Sequence, residues 1–209
     1  MSDYPELMRR DLPDGLRLVD GGVTAAPGFR AGSVACGVKS ADGTPDLAML
    51  VSDRPCVTVG TFTTSRTASH TVILCKEHLA ATGNHAQAVV VNSGNANCCT
   101  GLQGERDTAH MAELAAAAVG VDADQVAVAS TGVIGHLLDM AKVEKGIADA
   151  GAHLGSEVVP FMDAILTTDL VEKWARVEVA ADGTLAGGVA SPAIPGTGPE
   201  AGAARVTGV

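Results

Sequence analysis

"HAQAVVVNSGNANCCTG", residues 85–101, sets the reading of the fold. Val89, Val90 and Val91 form a β-branched run of the kind that fills a buried strand, and Asn92-Ser93-Gly94-Asn95 reads as the turn that halts it. A strand of similar character follows in "QVAVASTGVIG", residues 125–135, where small apolar residues give way to Ser130, Thr131 and Gly132. Between the two, "ERDTAHMAELAAAAVG" is rich in good helix formers and stops at Gly120, so it predicts a helix. A chain that places Ser-Thr-Gly at the end of a buried strand can present a hydroxyl and a backbone amide together at that strand end.

The pattern extends outward from this unit. A turn at Pro27-Gly28 precedes a predicted strand at 33–38. "DLAMLVSD" (46–53) and "CVTVGTFTT" (56–64) predict two further strands split by Arg54-Pro55. "HTVILCKEHL" (70–79) reads as a strand turning helical. "DMAKVEKGIADAGAHL" (139–154) is apolar at Met140, Val143, Ile147 and Leu154, which is helical spacing. "EVVPFMDAILTTDL" holds a third helical stretch, and "KWARVEVA" alternates like a half-buried strand. The helices do not alternate regularly with the strands. An α+β or α/β layered sheet-and-helix domain is therefore favoured over a doubly wound sheet. Residues 1–20 read as a lead-in. Residues 190–209, "ASPAIPGTGPEAGAARVTGV", are Pro, Gly and Ala without periodicity and predict a flexible tail.

Composition narrows the function. Apolar residues make up 46% of the 209, but aromatics only 2%, so the core must be built from Ala, Val, Leu, Ile and Met. The net charge of -10 argues against nucleic acid and against an anionic membrane surface as partners. No apolar run is long enough to span a bilayer, and the first residues lack a signal-peptide core, so a cytoplasmic protein is expected. The five cysteines include no CxxC pair and read as small buried hydrophobes of a reducing compartment. The six histidines are scattered without HxH or HxxxH spacing, so no metal site is expected. Neither a dinucleotide nor a P-loop glycine pattern follows a strand, and G-x-S-x-G is absent.

Three stretches could carry chemistry. "NSGNAN" (92–97) is either a tight turn or a set of amides binding a polar ligand. "STGVIG" (130–135) is either a small-residue exit from the core or an oxyanion site, in which the Thr131 hydroxyl and the Gly132 amide face one developing negative oxygen. "LTTDL" (166–170) is either the loop after a helix or the source of a substrate-binding hydroxyl, or even of a nucleophile.

Taken in order, "GVTAAPGFRAGSVACGVK", "DLAMLVSD", "GTFTTSR", "AVVVNSGNANCCTG", "VASTGVIG" and "AILTTD" resemble the N-terminal, α-chain half of the ornithine acetyltransferase (glutamate N-acetyltransferase) family of arginine biosynthesis. The likeness runs from about Gly22 to Val189 and marks 21–189 as the acetyltransferase-like domain. It implies a precursor that cuts itself into α and β chains, the new N-terminal Thr of β being the nucleophile. That Thr takes an acetyl group from N-acetylornithine and passes it to glutamate, without a cofactor. By resemblance Thr131 and Gly132 are the oxyanion pair and Thr167 binds substrate. The expected partner is a β chain, in an α2β2 or larger assembly.

The chain also departs from the family. Beyond "GGVA" (187–190) the family continues K-G-x-G-M and then A-T-M-L, which holds the nucleophile. Here Ser191 stands at the Lys position and no A-T-M-L follows, so no nucleophile is assigned in this chain. Asp139 replaces a Pro of the family pattern. The chain therefore reads either as an enzyme part completed by a separate β half, or as a truncated or diverged non-catalytic α-like protein.

Overall fold

The computed structural model describes residues 16–19, 21–40, 42–156, 159–168, 176–181 and 184–186. The predicted tail at 190–209, with Ser191, lies outside them. The central sheet contains β2 (Phe29–Val34), β3 (Leu47–Val57), β4 (His85–Asn95) and β5 (Val126–Val133), in that spatial order. β2 and β4 both run antiparallel to β3, and β5 runs parallel to β4. The parallel step requires a crossover, supplied by the helix α2 (Gly101–Val119). The other helices are α1 (His70–Ala81), α3 (Met140–Ala152) and α4 (Val159–Ile165). A second sheet is antiparallel, with β1 (Leu16–Val19) against β6 (Arg176–Ala181) and β6 against β7 (Thr184–Ala186). Its first strand falls inside the stretch read as a lead-in.

The layers follow from alternation along the strands. On one face Leu47, Met49, Val51, Ala88, Val90, Val126 and Val128 pack against Met111, Ala112, Ala115 and Ala116 of α2 and Val143, Ile147 and Ala150 of α3. On the other, Ala31, Ala48 and Leu50 pack against Phe161 and Ala164 of α4. The fold is thus the layered α/β arrangement expected, with a core that is nearly all aliphatic. Small residues on α2 and α3 allow close packing without aromatic volume. Gly120 ends α2 in the left-handed region, at φ 77°, and its N–H donates to Ala116 O.

Four local expectations are corrected. β2 ends at Val34 rather than 38, because the amides of Cys36 and Lys39 turn away to the carboxylate of Asp46 at 2.7 and 2.8 Å. β3 does not break at Arg54-Pro55 but ends at Val57, and residues 58–64 of the second predicted strand are not strand. β3 bulges, Val51 pairing with Ala88 and the next pair being Cys56 with Ala86, so Pro55 sits where no ladder N–H is required. "HTVILCKEHL" is helical from its first residue, with Ser69 as the N-cap whose Oγ accepts from Val72 N. Here a cap outweighs the β-branched pair Val72-Ile73. The cysteines are free thiols, but four are half-buried and Cys99 is exposed.

Helix α1 also protects the edge strand β5. The Cys75 thiol donates to Val128 O and accepts from Val128 N, both at 3.3 Å, and His78 Nδ1 donates to Val126 O at 2.8 Å. These contacts satisfy ladder groups that an open edge would leave free.

His110 on α2 bridges two carboxylates. Nδ1 lies 3.3 Å from Glu113 and Nε2 3.2 Å from Glu144 of α3. The hydrogen bond to Glu113 raises its pKa most; desolvation opposes it, and the hydrogen bond to Glu144 and the charges of both carboxylates add to the rise. A raised folded-state pKa contributes stability that is complete below about pH 6.5, the unfolded value, and is lost as pH rises through the folded value. An NMR titration is expected to place His110 above an exposed histidine. Glu144→Gln should lower that pKa and destabilise the chain at pH 6 but not at pH 9. Equal melting shifts at both pH values would reject the bridge.

Candidate active site

The two strands that carry the predicted site residues do not stop where the sequence suggests. β4 continues through Asn92-Ser93-Gly94-Asn95, and β5 through Ser130-Thr131-Gly132-Val133, in parallel register: Ser93 opposite Thr131, Gly94 opposite Gly132. The polar residues stay in the ladder because each strand supplies the other's backbone partners. "NSGN" is therefore a strand end, and the turn lies beyond it.

Gly94 and Gly132 make this pairing possible. Their φ values are 98° and 129°, where side chains are strained. A Cβ on Gly132 would lie 2.4 Å from the carbonyl carbon of Gly94, and one on Gly94 would lie 2.4 Å from Lys39 Cα.

The asparagines form the frame behind the site. Asn92 is fully buried; its Oδ1 accepts from Ser130 Oγ at 2.6 Å and its Nδ2 donates to Asn95 O at 2.8 Å. Asn95 Nδ2 donates to the carbonyls of His136 and Leu137, both at 3.1 Å, pinning the loop after β5. Asn97, also fully buried, donates to Gly104 O and Thr108 Oγ1 and so locks the start of α2. Every one of these amides is engaged with protein groups. They build the site's walls.

Asp46 and Lys39 were not singled out from the sequence, and they tie the pieces together. Asp46 is fully buried at the start of β3. Its carboxylate takes the amides of Cys36 and Lys39, and its carbonyl takes Ser93 N at 2.8 Å. Burial, then the Asp46 carboxylate beside it, push the Cys36 thiol up to about 12. Lys39 Nζ donates to Leu166 O at 2.7 Å, holding the residue before Thr167. The only signal in the sequence was an acid heading the apolar run "DLAMLV", which marks a buried and therefore partnered carboxylate.

The predicted site residues thus fall on connected backbone. Val89 packs on the α4 side of the sheet and Val90 on the α2/α3 side. Alternation and parallel register then put Ser93 and Thr131 on the α4 side, and Thr167 follows the C-terminal end of α4. Thr131 is half-buried, and Gly132, Thr167 and Thr168 are exposed. Val133, Ile134 and Leu137, just past Gly132, are 57%, 60% and 56% exposed, unusual for large apolar side chains in one short loop. No group of three or more His, Cys, Asp or Glu capable of holding a metal occurs among the described residues. No described helix is long and apolar enough to cross a membrane.

Residues 30–191 match the model of the ArgJ family. The chain belongs to the ArgJ family. It is 44% identical over 168 residues to the arginine biosynthesis bifunctional protein ArgJ of Gloeobacter violaceus, covering 79% of this chain and 40% of that protein. It is 43% identical over 173 residues to the ArgJ protein of Deinococcus radiodurans, covering 83% and 42%. The chain spans about two fifths of the length of the curated relatives it matches. Among solved structures, ArgJ of Bacillus halodurans aligns with a TM-score of 0.76 at 34% identity, over 86% of this chain and 95% of that one. Ornithine acetyltransferase of Mycobacterium tuberculosis, complexed with ornithine, aligns with a TM-score of 0.70 at 36% identity, over 84% and 100%.

The paired glycines give a direct test. Gly132→Ala should destabilise the chain by about 1–3 kcal/mol, the usual range for overpacking, with a positive-φ penalty added. Denaturant unfolding measures this. A neutral result would mean that the strand ends do not approach as described.

Proposed function

We propose that this chain is the α-chain part of an ornithine acetyltransferase, with 21–189 as its acetyltransferase domain. The observation that carries the proposal is a difference in coverage. The chain spans 40% of the Gloeobacter relative but 95% and 100% of the two solved chains. The chain named ornithine acetyltransferase is thus a polypeptide of about this length, as expected of a family member present as two chains.

On this reading, a Thr supplied by the β chain attacks the acetyl carbon of N-acetylornithine. The negative charge that develops on the acetyl oxygen is met by the Thr131 hydroxyl and the Gly132 amide. The C–N bond breaks, ornithine leaves as the amine with a proton, and the acetyl group stays on the Thr. The amine of glutamate then attacks that ester, the C–O bond breaks, N-acetylglutamate leaves and the Thr oxygen regains its proton from the attacking amine. Thr167 contacts substrate, on backbone that Lys39 holds from behind. No cofactor enters. Donors fixed before the reaction stabilise the tetrahedral intermediate without reorganising, which is why pinning this strand end matters. The exposed Val133, Ile134 and Leu137 are then covered by the β chain, in an α2β2 or larger assembly.

A specific observation favours a second reading. Ser191 occupies the position of the family's Lys, and A-T-M-L is absent from these 209 residues. A non-catalytic α-like protein, binding an acylated amino acid or a partner, would need neither.

Co-expression with the β chain of a relative separates the two. An assembled complex that transfers acetyl from N-acetylornithine to glutamate supports the first reading, and Thr131→Ala should then reduce turnover by about 10² or more. Unchanged turnover in that variant would remove Thr131 from the oxyanion role. A stable complex with no transfer would favour the second reading.

A further inference from the structure

Cys98 and Cys99 have no part in the chemistry above. They lie where the end of β4 passes into α2, with their Sγ atoms 3.9 Å apart; Cys99 is exposed and Cys98 half-buried. The surrounding backbone is fixed. Cys98 O accepts from Gly135 N at 2.9 Å, and the preceding Asn97 N donates to Asn95 Oδ1 at 3.0 Å. The other thiols are engaged elsewhere: Cys36 by Asp46, Cys56 by Ser52 and Cys75 by the edge of β5.

A disulfide requires sulfurs about 2.05 Å apart, and a single peptide link between neighbouring residues resists that closure. A tetrahedral ion with sulfur ligands at about 2.3 Å places two of them about 3.8 Å apart. The separation seen here fits the chelate without backbone movement.

We propose that Cys98 and Cys99 form a two-thiolate chelating site for a thiophilic divalent cation of the zinc and cadmium class, with water or a small thiol completing the tetrahedron. Binding releases the two thiol protons to solvent and changes no oxidation state. Protons compete with the cation for both sulfurs, so binding weakens as pH falls. Two protein ligands are fewer than the three or four of ordinary zinc sites, so the chelate is expected to be weak and exchangeable. The Gly135 amide hangs on the Cys98 carbonyl, so occupancy is felt in the loop that follows Thr131-Gly132.

Titration of the reduced full chain with cadmium tests this through the ultraviolet sulfur-to-cadmium charge-transfer band. One equivalent is expected to bind, with a shift of the Gly135 amide resonance. C98S and C99S should each weaken binding by at least roughly tenfold, since even changes outside the ligand set cost about that much. C36S, C56S and C75S should leave it unchanged. A band that survives in C98S and C99S, or no band at about 1 mM cadmium, overturns the proposal. Zinc should also protect Cys98 and Cys99 from alkylation in the unmutated chain, a readout that stands if either variant fails to fold. Equal alkylation with and without zinc overturns it as well.

Discussion

A single buried carboxylate organises the end of the sheet where the candidate site lies. Asp46 receives the backbone N–H groups of Cys36 and Lys39 on its two oxygens, gives its own N–H to Val34 O, and accepts Ser93 N on its carbonyl. A fully buried charge without such partners would be expelled or neutralised. With them, it joins the exit of β2, the start of β3 and the last turn of β4 into one rigid piece. Lys39, placed by this arrangement, lies against Gly94 and reaches Leu166 O, so the constraint extends to the segment carrying Thr167.

The parallel pair β4–β5 is the second constraint, and it depends on the first. Gly94 and Gly132 meet in the ladder because neither carries a Cβ, and Lys39 closes over Gly94 from the other side. Three backbones converge within a space that one extra methyl group would fill. The asparagines behind them have a complementary part. A polar side chain at a buried strand end must find partners within the protein, and Asn92, Asn95 and Asn97 find theirs in Ser130, the 136–137 carbonyls and the start of α2. The strand end is held by side chains from the direction opposite to its exposed edge.

Much of this arrangement was legible in the sequence, and the exceptions share a physical origin. The Val89–Val91 run, the Ala-rich helix with its Gly120 stop and the spacing of Val143 and Ile147 were readable because propensity, periodicity and burial agree there. Thr131, Gly132 and Thr167 stood out as small residues bordering apolar runs, and only the family resemblance gave them roles. What was misread turned on tertiary partners. "NSGN" looks like a turn until β5 lies beside it and completes its ladder. Val72-Ile73 looks like a strand until Ser69 caps a helix and the edge of β5 needs covering. Pro55 looks like a break until the bulge removes the demand for its missing N–H. Asp46 and Lys39 are single charged residues whose importance lies in what they reach, and no local pattern records that reach.

The division between buried and open faces bears on why a site would be built this way. Thr131 and Gly132 are fixed through the backbone of β5, through Ser130 to Asn92, and through the pairing with Ser93 and Gly94. Gly132, Thr167 and the apolar side chains of Val133, Ile134 and Leu137 are all open to solvent. Hydrogen-bond donors aimed at a developing charge are most effective where water is excluded and the donors need not move. On the proposed reading, this chain supplies the immobility and a second surface supplies the water exclusion. Large apolar side chains bordering an unfinished polar site satisfy both requirements once a second surface covers them, because the same burial that binds that surface also dries the donors. On the proposed reading, association and catalytic competence are one event, and a β chain that docks without covering this loop would leave Thr131 and Gly132 correctly placed but weakened by solvent.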